Sequence, residues 1–465
     1  MRMAENQDDC HNDTCQDTQI GGDRGTDLLS GTTDSEDKRG DVCNVDAPSD
    51  TTKDETHKPE ETPVTDNVSS ISYSIEEVVC ITGAWNDFRS REECYTKGCK
   101  WAPDGTCVVT NSVDNVLRVY DLPPELHCQE TWDKDRNLSE LKSVLAISVG
   151  RQVYDYSWYP LMSSGNPLSC CLVSTSKDNP VHMWDAFTGK LRCSYRCFNQ
   201  MDEIVTPHCV SFDTTGEKLY CGLKNMIKIF NTAYPGRNCD TRNLKLPMYQ
   251  NETKIGIVSC VAVNPNLSSV YAVGTYLKTV GLYSEPDGQL LCFLKGQKGG
   301  VTHIAFSPDG TKLLSGGRKD SEIICWDLRN PGTVLFVLQR EVTTNQRIYF
   351  DISPNGCYVM SGGTNGIVKI WDIQRPPDTS LGDPVLHPLK TFVAHNDCVN
   401  GLSIHKQYPV LATCSGQRHF EDLFSDSSSD TDQSPTEYDS DCRITKVKTK
   451  SENSLKLWWV GPKKQ

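Results

Sequence analysis

Five short segments bring cations, amides and aromatics together. They are STSKDNP (174–180), FNQMDE (198–203), SGGRKDSE (315–322), REVTTNQRIYF (340–350) and SGQRHF (415–420). Lys177, Arg318, Lys319, Arg347 and Arg418 supply positive charge, Asn345 and Gln346 amides, and Tyr349 and Phe420 rings. Lys and Arg pair with phosphates, amides read base edges and aromatic rings stack unpaired bases, so this mixture suits RNA. It also suits a rim that binds peptides, and Lys177-Asp178 and Lys319-Asp320 also read as solvated turn pairs. Arg318 and Arg347 each follow a turn and are expected to reach outward; the alternative is a structural arginine paired with a nearby aspartate. Catalysis has less to stand on. His182, His303 and His405 lie in or beside strands and read as hydrogen-bonded structural residues. No Ser-His-Asp order, HExxH, P-loop or GxGxxG stands out. The expectation is a non-enzyme without catalytic residues, metal or cofactor.

The segments need a frame that aims them at one place. A strand ending in Trp-Asp recurs at VHMWD (to Asp185), IICWD (to Asp327) and VKIWD (to Asp372). AFSPDG precedes the second and DISPNG the third, and Trp326 and Trp371 are 45 residues apart. That is the period of a WD40 blade. Weaker copies are VLRVYD, IKIFN, VGLYS and LKLWW. They place strand-c aromatics at 120, 184, 230, 283, 326, 371 and 458, at intervals of 64, 46, 53, 43, 45 and 87. The two long intervals must hold insertions.

One blade cannot bury both faces of its sheet, so repetition implies a closed ring. The expected fold is all-β, a seven-bladed WD40 β-propeller, with six or eight blades as alternatives. SPDG, SPNG, DTTG and APDG are read as hairpins joining strand a to strand b, with glycine at the φ > 0 corner. LKLWW is the last strand c, and VVCITGAW (78–85) lacks another partner. It is expected to supply the outer strand of the last blade and leave no open edge. In such a ring, loops between blades share a face with the loops from strand b to strand c. The five segments are therefore expected to converge on one rim.

Residues 1–75 have no hydrophobic period and read as a disordered acidic tail, with 18 acidic and 6 basic residues in 1–70. The propeller is assigned to 76–465, interrupted by a disordered acidic insertion at about 421–450 in the last blade. Residues 421–442 hold 8 acidic residues and no basic ones. The chain carries −14; setting aside −12 and −8 leaves +6 on the ring, a mildly basic surface permissive for nucleic acid. Ser427 and Ser429 each precede an aspartate by three positions and are candidates for phosphorylation by acidophilic kinases. The 22 cysteines are scattered along strands with no CxxC pair, which suggests reduced core thiols in an intracellular protein. No apolar stretch reaches 18 residues, so no membrane span is expected.

Longer phrases carry a resemblance. YPLMSS (159–164), DNPVHMWDAFTGKLR (178–192), YPGRNC (234–239), GGVTHIAFSPDG (299–310), GRKDSEIICWDLR (317–329), REVTTNQRIYFD (340–351) and SGQRHF (415–420) resemble the telomerase Cajal body proteins, nuclear WD-repeat proteins. The resemblance spans about 78–465. It implies binding of small Cajal-body RNAs and telomerase RNA through a short single-stranded loop, the CAB box, and delivery of these particles to Cajal bodies in the nucleus. It also implies contact with box H/ACA core proteins and the telomerase holoenzyme, and folding by the cytosolic chaperonin. It implies no membrane partner and no direct DNA contact. The RNA-binding residues assigned from the loops are Lys177, Arg318, Lys319, Gln346, Arg347, Tyr349 and Arg418. The competing class is a protein–protein scaffold, such as a ubiquitin-ligase substrate adaptor or a histone-tail reader.

Overall fold

The computed structural model describes residues 75, 78–89, 94–127, 131–133, 136, 138–244, 255–267, 269–285, 287–380, 382–419 and 451–462. Most of the acidic tail, the insertion at 421–450, Phe420, Ser427 and Ser429 lie outside the described residues. Seven antiparallel sheets follow one another along the chain, each a blade of strands a, b, c and d. Blade 1 is Thr96–Trp101, Cys107–Ser112, Val116–Asp121 and Leu145–Ser148. Blade 2 is Val153–Trp158, Cys171–Ser176, Val181–Asp185 and Leu191–Tyr195. Blade 3 is Cys209–Phe212, Lys218–Gly222, Met226–Asn231 and Asp240–Asn243. Blade 4 is Val258–Val263, Val270–Thr275, Thr279–Ser284 and Leu290–Lys295. Blade 5 is Val301–Phe306, Lys312–Gly317, Glu322–Asp327 and Thr333–Gln339, and Val385–Leu386 adds a short parallel fifth strand. Blade 6 is Phe350–Ile352, Tyr358–Gly362, Ile367–Asp372 and Lys390–Val393. Blade 7 takes Val399–Ile404, Val410–Ser415 and Leu455–Trp459 from one end of the chain and Val79–Ala84 from the other.

Each of the seven aromatics picked out by spacing lies on a strand c, and the closing strand pairs antiparallel with Leu455–Trp459 from Val79↔Trp459 to Ala84↔Leu455. Burial follows position in the blade. Strand b of blades 1, 2 and 7 is buried at all six positions, because it is sandwiched between neighbouring blades. Strand d of blades 1 and 6 is exposed at every second residue. Glycines 105, 216, 310 and 356 close the a–b hairpins at φ between 68° and 76°, as the turn requires.

The strand-c tryptophans are tied to strand b. Trp458 Nε1 donates to Thr413 Oγ1 at 2.8 Å; the same oxygen meets His395 Nε2 at 2.8 Å, and His395 Nδ1 lies 2.9 Å from Glu452. Trp326 donates to Ser315 and Trp184 to Ser174 in the same way. Blade 6 differs. Its serine, Ser361, accepts from Arg340, and the buried Trp371 indole N–H has no partner.

The long first interval has a structural purpose that spacing did not reveal. Residues 138–141, in the connection from strand c to strand d of blade 1, lie over the closing strand. Leu138 N donates to Ile81 O, Leu141 N to Gly83 O, and Thr82 Oγ1 to Ser139 O. Glu140 accepts from Trp85 N and Asn86 N, and Trp132 packs 6.0 Å from Trp459. The seam of the ring is thus covered as well as paired.

Candidate nucleic-acid interface

Strands a of successive blades pack against one another and line a central channel. The b–c turns and d–a loops surround one mouth of it. Blades 2 to 5 each put a cation in the b–c turn: Lys177, Lys224, Lys278 and the pair Arg318-Lys319. Lys177, Lys224, Lys278 and Lys319 are exposed. The corresponding turns of blades 1 and 6, Val113-Asp114-Asn115 and Gly363 to Gly366, hold none. The positive charge is therefore an arc over four consecutive blades; Arg418, on the b–c loop of blade 7, stands apart from it beyond blades 1 and 6.

Backbone geometry marks two of these lysines. One residue of each turn takes a left-handed φ: Asn115 in blade 1, Asn225 in blade 3 and Gly366 in blade 6, types that tolerate it. Blades 4 and 5 use Lys278 (φ 66°) and Lys319 (φ 47°). A long side chain in this region costs about 1 kcal/mol or more, and such strain concentrates at functional sites. Lys319 is not held by its neighbour. Asp320 is buried and accepts the Lys298, Gly299 and Glu322 amides and the Gln297 side chain. The solvated-pair alternative fails for Lys319-Asp320.

Arg347 and Tyr349 are not on the rim, and the expectation that Arg347 reaches outward is corrected. Arg347 Nη1 lies 3.1 Å from Asp155 on strand a of blade 2, with its side chain 16% exposed. It also donates to Tyr349 Oη at 3.0 Å and, across the channel, to Ser259 O of blade 4 at 2.8 Å. Tyr349 is 6% exposed; its backbone N–H donates to Asn400 O of blade 7, and its ring lies 4.9 Å from His303. Lys100 stands 3.4 Å from Asp155 and 4.7 Å from the Tyr156 ring centroid. Burial alone would raise the Asp155 pKa; the Lys100 and Arg347 charges and two backbone N–H groups outweigh it and hold the carboxyl below its ordinary value. These side chains form a charged plug inside the channel, because the 340–348 loop folds in and is closed by Arg340 Nη1 donating to Ile348 O.

The other assigned residues fall nearer the mouth. Arg318 is half-buried with its guanidinium 4.4 Å from the Tyr276 ring centroid. Gln346 is half-buried, and its Oε1 lacks a hydrogen-bond partner. Arg418 is exposed on a loop fixed at both flanks: Gln417 donates to Asp397 Oδ1, and His419 Nε2 lies 2.7 Å from Asp397 Oδ2. His182 bonds Ser194 Oγ, His303 bonds Phe350 O and His405 bonds Gly105 O, each a structural link. Sequence reasoning missed Lys224 and Lys278. The signal was present, since both lie in the short turn between strands b and c as Lys177 and Arg318 do, but their turns lack the longer polar phrases.

The WD domain, G-beta repeat family matches residues 94–121, 288–327, 342–372 and 386–419, which fall on blades 1, 4–5, 6 and 7. The chain is 43% identical to Telomerase Cajal body protein 1 of Mus musculus over 391 residues, 84% of this chain and 71% of the relative. It is 41% identical to the Bos taurus protein of that name over 401 residues, 86% and 71% respectively. The Telomerase Cajal body protein 1 homolog of Drosophila melanogaster is 35% identical over 377 residues, 79% and 66%. Similarity of this extent, running through a seven-bladed ring and its plugged channel, makes the chain a member of the telomerase Cajal body protein 1 family of WD-repeat proteins.

Proposed function

We propose that the chain is an RNA-binding WD40 scaffold that recognises the single-stranded CAB-box loop of small Cajal-body RNAs and telomerase RNA. In this reading it carries those particles to Cajal bodies in the nucleus, works with box H/ACA core proteins and the telomerase holoenzyme, and supports telomere maintenance. The observation that carries it is the run of exposed cations in the b–c turns of four consecutive blades, two of them on left-handed backbone. Paired phosphates on a short loop would be met by that arc. The relatives' name, which joins telomerase to the Cajal body, supports this class of RNA. On this reading Lys177, Lys224, Lys278, Arg318, Lys319 and Arg418 face RNA with Gln346, while Arg347 and Tyr349 act beneath them by holding the mouth in shape.

The test is ultraviolet crosslinking in cells followed by sequencing of RNA bound to the full chain. Enrichment of small Cajal-body RNAs, with crosslinks on a single-stranded loop, is expected. Recovery of protein partners with no RNA above a mock purification would favour the scaffold or ligase-adaptor class instead.

A further inference from the structure

Two pairs of planar side chains in contact, one tilted and one a cation over a ring, stand at the channel mouth within the cationic arc. Tyr154, in strand a of blade 2, lies 5.7 Å from His208, which precedes strand a of blade 3, with ring planes 35° apart. Tyr276, in the b–c turn of blade 4, lies under the Arg318 guanidinium of blade 5 at 4.4 Å. All four residues are half-buried. Burial lowers the His208 pKa, so its ring is neutral near pH 7. Each pair bridges two neighbouring blades whose turns present an exposed lysine: Lys177 and Lys224 for the first pair, Lys278 and Lys319 for the second.

We propose that the two pairs are platforms on which unpaired RNA bases stack, with the flanking lysines holding the phosphates of the same nucleotides. This rests on the RNA reading above and adds to it the ligand form: single-stranded bases splayed toward the channel, two platforms apart, rather than a helix lying across the rim. Planar groups accept any base by stacking, so the platforms set a preference for single strands and not for a sequence. The plug of Arg347, Asp155 and Tyr349 beneath the mouth stops a base from passing deeper into the channel.

The experiment uses the purified full chain and a hairpin RNA with 2-aminopurine placed at one loop position at a time. A fully paired duplex of the same length is the second probe. Stacking quenches 2-aminopurine emission, a readout that lost packing elsewhere does not produce. The unsubstituted chain is expected to quench the probe at one loop position or more. Tyr154→Leu and Tyr276→Leu should each abolish quenching at a different position and weaken loop binding roughly 5- to 150-fold. The loss should be confined to the loop probe, with an unchanged salt slope, and Tyr→Phe should restore the quench. His208→Ala repeats the test on the first platform if Tyr154→Leu does not fold by circular dichroism. If the leucine variants keep quenching and affinity while Lys278→Ala and Lys319→Ala lose affinity, the platforms are refuted and the RNA reading stands. If the unsubstituted chain binds neither probe, the RNA reading itself fails and the platforms fail with it.

Discussion

Arg347 and Asp155 meet at 3.1 Å across the channel, joining the loop before blade 6 to the innermost strand of blade 2. The two residues are far apart in sequence and on non-adjacent blades, so the pair holds the ring across its diameter. Arg347→Ala leaves the carboxylate with Lys100 as its counter-charge beside two backbone N–H groups, and Asp155→Asn leaves the largely buried guanidinium without its counter-charge. Either is expected to destabilise the fold by about 3 to 5 kcal/mol in urea titrations. The double variant Arg347→Met with Asp155→Leu should be less destabilised than either single change. Single variants within about 0.5 kcal/mol of the parent would show the pair to be incidental.

Lys278 and Lys319 should reveal a trade of stability for binding. Glycine fits their left-handed backbone better, so Lys278→Gly and Lys319→Gly are each expected to raise stability by about 0.5 to 1 kcal/mol. The same changes should weaken RNA binding. Thermal unfolding and anisotropy on one preparation measure both, and a variant that is stabilised with affinity intact would remove that lysine from the interface.

Stability should fall on mild acidification. Burial, the first cause in each case, pushes the His303 pKa down to about 3 and the His405 pKa down to about 4. Both folded values lie below that of the unfolded chain, so their contribution is full above about pH 6.5 and is lost as pH falls toward the folded values. Each should contribute about 1.4 kcal/mol per pH unit in that window. Below about pH 4 the depressed carboxyl of Asp114 adds to the loss; burial opposes that shift, but Arg118 and Ser112 hydrogen bonds hold it at about 2. Urea midpoints at pH 7.5, 6 and 5 test this, and a midpoint unchanged between them would contradict it. His405→Gln should flatten the slope.

Ring closure predicts a sharp boundary for truncation. Removing residues 1–70 should leave solubility and unfolding unchanged, whereas removing 1–90 deletes Val79–Ala84 and uncovers Leu455–Trp459. Insoluble or aggregated protein is expected from the second deletion, measured by size-exclusion chromatography. A soluble monomer lacking residues 1–90 would show the outer strand to be dispensable.

The blades were readable because strand c repeats an aromatic before a polar stop and hairpin glycines recur; both follow from local backbone demands. The seam clamp over Thr82 was not, because residues 138–141 bond to a strand distant in sequence and show no period of their own. Of the site, the turn cations Lys177, Arg318 and Lys319 were found by composition. Arg347 was misjudged because spacing fixes which loop a residue occupies but not whether its side chain turns to solvent or into the channel. The phrase that carried the resemblance most strongly, REVTTNQRIYFD, is interior at Arg340, Val342 and Ile348 to Phe350, while Glu341, Thr343 and Asn345 are exposed. Arg340, Arg347 and Tyr349, none of them in a strand, contact Ser361, Ser259 and His303 respectively.

The salt dependence of RNA binding tests the central claim most directly. Affinity of the full chain for a loop-bearing hairpin would be measured from about 50 to about 200 mM salt, beside a variant with Lys177, Lys224, Lys278 and Lys319 each changed to alanine. The account predicts a folded variant with weaker binding and a log–log slope shallower by about 0.7 per lysine, roughly 3 units in all. A folded variant with the parent's affinity and slope would contradict it, and would place any RNA contact away from this arc.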